Sequence, residues 1–191
     1  IGRAIRVRPD VADAWMNHGD VLSGAGRFAQ ALRSYDGALG LAPGNLRALE
    51  GRARTLFSME RFDEALAVYD ALLSAAPANV AALNDRGNIL WRSGRLHEAL
   101  ASFDDALGAE PGNLEALNNR GNILRHMRRF DEALACYDAV LSVEPKLAEV
   151  LSNRGVTLSE LQRSAEALIS YDEALEIDPA LTEAWNNRGF S

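Results

Sequence analysis

The sequence contains six prolines, and they recur at one fixed interval. Each proline follows the previous one by 34 residues, and the positions are Pro9, Pro43, Pro77, Pro111, Pro145 and Pro179. A fixed period of this length indicates a repeated structural unit that stacks on copies of itself. The period predicts one array with these boundaries: the end of a preceding helix at 1–11, repeats at 12–45, 46–79, 80–113, 114–147 and 148–181, and the start of a sixth at 182–191.

Side-chain size follows the same period and predicts two helices in each repeat. With repeat positions numbered 1 to 34, position 4 is large, position 8 is small and position 11 is leucine, a spacing that places all three on one helix face. Positions 20, 24 and 27 behave in the same way, with alanine at 20. Position 24 is aromatic throughout: Tyr35, Tyr69, Phe103, Tyr137 and Tyr171. We therefore predict helix A at positions 1–14 and helix B at 15–29, which approach closely through the small residues at 8 and 20. The proline at position 32 ends helix B.

Loop and charged residues recur as well. Asn45, Asn79 and Asn113 stand where each would cap the next helix A, whereas Pro145 and Pro179 are followed by loops without that asparagine. Aspartate at position 25 and arginine at position 7 predict a ladder of ion pairs between neighbouring hairpins: Asp36, Asp70, Asp104, Asp138 and Asp172, with Arg52, Arg86, Arg120, Arg154 and Arg188. The position-16 arginines, such as Arg61, are expected to favour the negative end of helix A.

Composition limits the partners and the compartment. The formal net charge is −7, which argues against nucleic acid as the main partner, because phosphate binding needs clustered positive charge. No stretch approaches the roughly 20 apolar residues of a membrane-spanning helix, so no membrane insertion is expected. The single cysteine, Cys136, forms no internal disulfide, and with no visible signal segment it favours a cytoplasmic location.

Motifs for catalysis and cofactors are weak. Gly24–Ala29 fits a loose dinucleotide-binding pattern, but the period places a helix before it where that pattern requires a strand. His97 and Glu98 begin a zinc-binding pattern in which Ala101 replaces the second histidine. No serine or cysteine has a base arranged with it. We therefore expect no enzyme activity, no metal and no cofactor.

The repeat pattern resembles the tetratricopeptide repeat family over the whole chain. The resemblance rests on the large residue at position 4, glycine at 8, alanine at 20, the aromatic at 24, a small residue at 27 and proline at 32. It implies an all-α, right-handed superhelical solenoid of antiparallel helix hairpins whose helices A line a concave face. The Asn-Arg-Gly segments at 119–121, 153–155 and 187–189 are similar to bacterial repeats that often precede other domains, including glycosyltransferase domains similar to O-GlcNAc transferases.

The resemblance places positions 2, 5, 9, 12 and 13 in the groove, with position 6 nearby. Asparagines are frequent at these positions: Asn17, Asn84, Asn88, Asn118, Asn119, Asn122, Asn153 and Asn187. Such a ladder is similar to that of O-GlcNAc transferase repeats, and amides can pair with a peptide backbone. Gly51 and Asp85 interrupt it. An aromatic and arginine cluster at the groove centre has the composition of a binding hot spot: Arg54, Phe57, Trp91, Arg92 and Arg125. The alternative for Phe57 and Trp91 is packing under the next repeat.

The sequence thus predicts a non-catalytic scaffold that binds an extended peptide or partner segment on its concave face. Two alternatives stay open: a substrate-recruiting arm of a larger glycosyltransferase-like enzyme, and a module that self-associates end to end. Because the chain starts inside one repeat and stops inside another, we expect it to be part of a longer protein.

Overall fold

The computed structural model describes residues 9–189, and for Pro9 and Asp10 the backbone alone. Eleven α-helices and no strand are found in this range, which confirms the all-α prediction. The predicted end of a preceding helix at residues 1–8 lies outside the described residues. The helices are α1 (Pro9–Gly24), α2 (Phe28–Leu41), α3 (Leu46–Ser58), α4 (Phe62–Ala75), α5 (Val80–Arg92), α6 (Leu96–Ala109), α7 (Leu114–His126), α8 (Phe130–Val143), α9 (Ala148–Glu160), α10 (Ser164–Ile177) and α11 (Thr182–Gly189). None of the described helices is long and apolar enough to cross a membrane.

The chain divides into two compact units, Ile1–Gly94 and Arg95–Ser191. In the first unit, α1 and α2 pack as one hairpin, α3 and α4 as a second, and α5 packs on α4. In the second unit, α6 packs on α7, the pairs α7–α8 and α9–α10 form hairpins, and α11 packs on α10. Repeats 1, 2, 4 and 5 thus form helix hairpins, whereas α5 and α6 of repeat 3 belong to different units.

The turn inside each hairpin differs in detail from the prediction. From α3 onward, each complete helix A covers repeat positions 1–13 and each helix B covers 17–30, so helix B begins two residues later than predicted. The cause is position 15, which has a positive φ and cannot belong to a right-handed helix. This residue is Gly26, Glu60, Gly94, Arg128 and Gln162 in the successive turns. In the first repeat, α1 begins at Pro9 rather than Ala12, because proline is tolerated at a first helical position.

The position-16 arginines lie between the two helices of each hairpin, and the backbone N–H of Arg61, for example, donates to the carbonyl oxygen of Leu56 in the last turn of α3 at 3.0 Å. All five are N-cap residues of the helices B, and four of them form a two-pronged hydrogen bond with the glutamate three residues later, at 2.6–2.7 Å. Arg27 has Gln30 at the place of that glutamate. The pairs are Arg61–Glu64, Arg95–Glu98, Arg129–Glu132 and Arg163–Glu166. A glutamate in the first helical turn is favoured by the helix dipole, and the arginine holds it there. The pKa of Glu64, Glu132 and Glu166 is lowered by this hydrogen bond to arginine.

The asparagine caps and the charge ladder are confirmed. The Oδ1 atoms of Asn45, Asn79 and Asn113 accept hydrogen bonds from the third backbone N–H of α3, α5 and α7. Five arginine–aspartate pairs, with nitrogen–oxygen distances of 2.6–2.8 Å, join helix B of one repeat to helix A of the next: Arg52–Asp36, Arg86–Asp70, Arg120–Asp104, Arg154–Asp138 and Arg188–Asp172.

Glycine at position 8 allows the position-24 ring to lie on the backbone of helix A. A Cβ atom added to Gly19 would lie 2.7 Å from Tyr35 Cε1, and one added to Gly155 would lie 2.6 Å from Tyr171 Cε1. These separations are far below a normal carbon–carbon contact. The close approach inferred from the sequence therefore has a specific cause, the fully buried tyrosine ring.

The tryptophans at position 4 are less buried than the period implies. Trp15 is 44% exposed and Trp185 is 52% exposed, whereas Leu83 and Leu151 at the same position are buried. The indole N–H of Trp185 donates to the carbonyl oxygen of Pro179 at 3.0 Å. These two positions were expected in the core, but their large indole rings extend beyond it.

Candidate partner-binding faces

Each unit carries a candidate surface, formed by repeat positions 2, 5, 6, 9, 12 and 13 of its helices A, which we call the helix A face. It is carried by α1, α3 and α5 in the first unit and by α7, α9 and α11 in the second. The buried tyrosines of helix B reach this face with their hydroxyl groups. Tyr35 donates to Asp20 and Tyr69 donates to Asp85 in the first unit, and Tyr137 donates to Asn122 in the second, each at 2.8 Å.

Charged side chains on the helix A face of the first unit are paired with one another. Asp85 Oδ2 accepts from Arg54 Nε at 2.9 Å as well as from the Tyr69 hydroxyl. Burial, followed by the Asp85 carboxylate, raises the pKa of Tyr69. Arg47 lies 3.6 Å from Asp20 on the preceding helix A. Arg54 was predicted as part of a hot spot, and the structure pairs it with Asp85.

An aromatic cluster occupies the turn side of the same unit. The Phe57 and Phe62 ring centroids are 5.9 Å apart, and the Arg92 guanidinium lies 4.7 Å from the Phe57 centroid and 5.5 Å from that of Phe62. Arg92 Nη2 also contacts Glu60 Oε1 at 3.2 Å. The structure thus brings together the predicted residues Phe57 and Arg92, and Trp91 lies half-buried beside Arg92 in the sequence.

Sequence reasoning missed Phe62 and Glu60 in this cluster. A signal for Phe62 was present, since repeat position 17 is apolar in the first four repeats: Phe28, Phe62, Leu96 and Phe130. The signal for Glu60 was its place at position 15, where repeats 1 and 3 have glycine and Glu60 has a positive φ of 57°.

A cavity of about 350 Å³ lies on the helix A face of the first unit. Its walls include both signs of charge: Asp20, Arg47, Glu50 and Arg54, together with Ser23 and Tyr35. This face is therefore suited to charged or strongly polar side chains of a partner.

The predicted asparagines of the first unit lie in different environments. Asn17 is exposed, Asn88 is half-buried, and Asn84 is only 2% exposed and so belongs to the interior. At the interruption of the ladder, a Cβ atom on Gly51 would lie 2.5 Å from Tyr35 Cε1. No asparagine fits at this position while the Tyr35 ring stays in place, which explains the interruption.

The second unit presents more amides on its helix A face. Asn119, Asn153 and Asn187 occupy position 6 of α7, α9 and α11 and are half-buried, as is Asn118 at position 5. Asn122 is different, because it is 9% exposed and its Oδ1 atom accepts from Tyr137. Asn122 therefore supports the packing beneath the face, so its replacement would alter stability as well as the surface.

Arg125 completes the group around Tyr137. Its side chain is half-buried, and its Nε atom is buried with no hydrogen-bond partner among residues 9–189. Burial raises the pKa of Tyr137 to about 12, and the nearby Arg125 guanidinium opposes that rise. The structure thus places Arg125 and Asn122 together beside Tyr137, in the second unit.

A cavity of about 530 Å³ opens on the same unit. It is lined by Arg128, Val156, Ser159, Glu160, Gln162, Tyr171 and Asn187. Asn187 was predicted as a site residue, whereas Arg128 and Gln162 were missed. Both have a positive φ of 59° at repeat position 15, where glycine would be unstrained. The absence of glycine at this position in repeats 4 and 5 is the sequence signal that could have identified them.

No group of three or more His, Cys, Asp or Glu side chains that could hold a metal ion is found in the described part of the chain.

Models of the tetratricopeptide repeat match residues 1–45, 16–80, 50–114 and 84–126, and a second model of the same repeat matches 113–180. The chain belongs to the tetratricopeptide repeat family. A search of curated proteins finds no match.

Solved tetratricopeptide structures superpose on most of the chain. YrrB, described as a tetratricopeptide protein with an unusual peptide-binding site, is 26% identical, with 98% of this chain and 96% of that chain covered and a TM-score of 0.78. MamA is 19% identical, with 89% and 93% covered and a TM-score of 0.79. A tetratricopeptide protein from Parabacteroides merdae is 18% identical, with 95% and 72% covered and a TM-score of 0.85. The last two similarities show the fold alone.

Proposed function

We propose that this chain is a non-catalytic scaffold that binds an extended segment of a partner protein along its concave helix A faces. Membership of the tetratricopeptide family supports a role in protein interaction, because these repeats present long surfaces rather than a catalytic pocket. The similarity to YrrB, described by its peptide-binding site, supports a peptide as the ligand. The net charge of −7 favours a protein over a nucleic acid as partner.

The observation that carries the proposal is the amide series of the second unit. Asn119, Asn153 and Asn187 occupy the same repeat position on three successive helices A, and all three are partly accessible. A carboxamide both donates and accepts, so each can bond a peptide N–H and a peptide carbonyl without reading the side chain between them. Val156 and Tyr171, in the adjoining cavity, add apolar surface for the partner's side chains.

The first unit supplies the contacts that select the partner's sequence. Its pairs, Arg54–Asp85 and Arg47–Asp20, have side chains that are partly exposed. Exposed pairs contribute only about 0–1 kcal/mol, so a charged partner side chain can replace one member at little cost. The Phe57 and Arg92 cluster offers an aromatic and cationic anchor of the kind found at binding hot spots.

The experiment is a screen of a random 12-residue peptide library against the whole chain and two variants. The amide variant carries Asn119→Ala, Asn153→Ala and Asn187→Ala. Its matched control carries Asp105→Ala and Glu173→Ala, two exposed substitutions on helices B of the same unit. We expect the amide variant to bind every selected peptide at least tenfold more weakly, and the control to bind as the parent does.

A third variant separates the two faces. Phe57→Ala combined with Arg92→Ala should change which peptides are selected while peptides without aromatic or acidic residues keep their affinity. The proposal is wrong if the parent selects no peptide, or if the amide variant binds the selected peptides as tightly as the control.

A further inference from the structure

One line of residues on the surface of α10 differs from the same line on the other helices B. Repeat positions 22, 26 and 30 are four residues apart, so they follow one another along a single helix face. In α4, α6 and α8 these positions are mostly alanine: Ala67, Ala71 and Ala75, then Ala101, Asp105 and Ala109, then Ala135, Ala139 and Val143. In α10 they are Ile169, Glu173 and Ile177, which we call the α10 stripe.

The two isoleucines of the α10 stripe are not needed for the helix itself. Ile169 is 57% exposed and Ile177 is 40% exposed. Alanine has a higher helix propensity than isoleucine, and α4 forms with alanine at both of these positions. The isoleucines therefore provide apolar surface that the interior of the second unit does not use.

A cavity of about 380 Å³ adjoins the α10 stripe. It lies between α8 and α10, which both pack on α9, so its walls belong to the second unit alone. Its apolar lining consists of Leu141, Pro145, Leu151 and Ile169. Leu151 is at repeat position 4, so this cavity lies outside the helix A face.

The charged lining of the cavity leaves one carboxylate without a cation. Asp138 pairs with Arg154, which also lines the cavity, and Glu166 pairs with Arg163, each at 2.7 Å. Glu173 also lines the cavity and has no hydrogen bond or ion pair among residues 9–189. Neither α8 nor α10 contains a lysine or an arginine. The surface therefore combines apolar side chains with a negative charge that the chain does not neutralise.

We propose that the α10 stripe and this cavity bind an amphipathic helix of a partner protein through an arginine flanked by two apolar side chains. The guanidinium donates to the carboxylate of Glu173, and the aliphatic stem of the arginine contacts Leu141 in the cavity. The apolar residues four positions before and after the arginine contact Ile169 and Ile177. On both helices these residues are about 6 Å apart along the axis, so the two sets match in spacing.

The chemistry of the surface favours a helix and an arginine over the alternatives. The backbone groups in the middle of α10 are bonded within α10, so they cannot pair with an extended segment, whereas a partner helix satisfies its own backbone. A glutamate in place of the arginine would be repelled by Glu173. A lysine could pair with Glu173, but only the planar guanidinium can form two parallel bonds with a carboxylate.

The proposal does not rest on the proposed function, because the helix A face takes no part in it. The probe is a helical peptide of about 20 residues, built on alanine and glutamine, with leucine, arginine and leucine at successive intervals of four. Titration of the ¹⁵N-labelled whole chain, followed by NMR, should give saturable shifts of the Ile169, Glu173 and Ile177 backbone amides, with Kd on the order of 1 mM. Peptides of 12 residues are too short to form a stable helix in water, so the library that tests the helix A face does not present this ligand.

Two altered probes test the charge and the helix. A probe with glutamate in place of arginine should bind about fivefold more weakly or worse. A probe with the same three side chains and a central proline, which breaks the helix, should give no saturable shift.

Matched substitutions in the chain identify the surface. Glu173→Arg should change the ratio of the two affinities about tenfold in favour of the glutamate probe. Asp105→Arg makes the equivalent change at the same repeat position of α6, between two alanines, and should leave the ratio unchanged. Ile169→Ala combined with Ile177→Ala should abolish saturable binding, whereas Val21→Ala, at a site that is 71% exposed in the first unit, should not.

The amide variant should bind the arginine probe as the parent does, so failure of the groove proposal and failure of this one are distinguishable. The inference is overturned if the arginine probe gives no saturable shift or if the three probes act alike. It is also overturned if Glu173→Arg leaves the ratio of affinities as Asp105→Arg does.

Discussion

Replacement of Gly155 by alanine tests the cause of the close helix approach. Two effects oppose each other at this site. Alanine in place of glycine inside a helix is favourable by about 1 kcal/mol. The added Cβ atom, however, would lie 2.6, 2.8 and 2.9 Å from three atoms of the Tyr171 ring. Tyr171 is 1% exposed, so its ring is packed against its neighbours.

The steric effect should exceed the gain in helix propensity. Overpacking a core by one methyl group costs about 1–3 kcal/mol, and three simultaneous short contacts place this site near the upper end. We therefore expect Gly155→Ala to lower the free energy of unfolding by about 1–2 kcal/mol. Gly108 in α6 is the control, because a Cβ atom there meets nothing within 4 Å. Gly108→Ala should raise the free energy of unfolding by about 0.5 kcal/mol.

Urea denaturation followed by circular dichroism measures both variants, with the midpoint compared at equal slope. A double-mutant cycle identifies the atom responsible: in a Tyr171→Leu background, Gly155→Ala should no longer be destabilising. The explanation would be refuted if Gly155→Ala stabilised the chain as Gly108→Ala does, or if Tyr171→Leu left the cost unchanged.

Three further predictions follow from individual contacts. Tyr137→Phe should lower the free energy of unfolding by about 1–3 kcal/mol in urea denaturation, because it leaves the buried Oδ1 atom of Asn122 without its donor. Arg154→Ala and Asp138→Ala, made singly and together, should give a coupling energy of about 0.5–1 kcal/mol in a double-mutant cycle, and added salt should reduce it. The ladder would be contradicted if the two single effects on the free energy of unfolding simply added. Burial lowers the pKa of His126 in the folded chain. As the pH falls below about 6.5, His126 therefore binds a proton in the unfolded chain at a higher pH than in the folded chain, which favours unfolding. The melting temperature should therefore decrease from about pH 6.5 until the pH passes the folded pKa, and His126→Gln should reduce that decrease.

Local chemistry explains why the hairpins, caps and ladder were predictable from the sequence. Proline and asparagine act on their own loop, as Asn79 does on α5, so their effect depends little on the rest of the chain. The ladder was predictable because Asp70 and Arg86 recur at fixed positions, and a regular stack brings fixed positions together in every repeat. In a repeat protein, a contact between residues that are distant in the sequence can therefore be predicted from residues that recur at fixed positions.

The interior of the candidate site was less predictable, because helix periodicity gives the face of a residue but not its partner. Asn122 and Asn153 both belong to the predicted groove, yet Asn122 is buried under a tyrosine hydroxyl. The glutamate partner of the position-16 arginines was missed as well, since the positive φ at position 15 places Arg61 at the N-cap of α4, within hydrogen-bond reach of Glu64. Both differences depend on how far a side chain extends and on the backbone conformation of a turn, and neither can be read from the spacing of residues in the sequence.

The tyrosines at position 24 connect stability to binding on the helix A face. Their rings fix the distance between the two helices of a hairpin. Three of their hydroxyls donate to an acceptor on the helix A face, Asp20, Asp85 or Asn122, and the Tyr171 hydroxyl lies 3.4 Å from Ser159 Oγ on that face. A substitution at Asp20, Asp85 or Asn122 therefore changes both the packing of the tyrosine beneath it and the exposed surface of the helix A face. In contrast, Asn119 and Asn153 make no side-chain hydrogen bond to such a tyrosine among the described contacts. A loss of partner binding on replacing them can be assigned to the face itself, which is why the amide variant uses position 6 and leaves Asn122 intact.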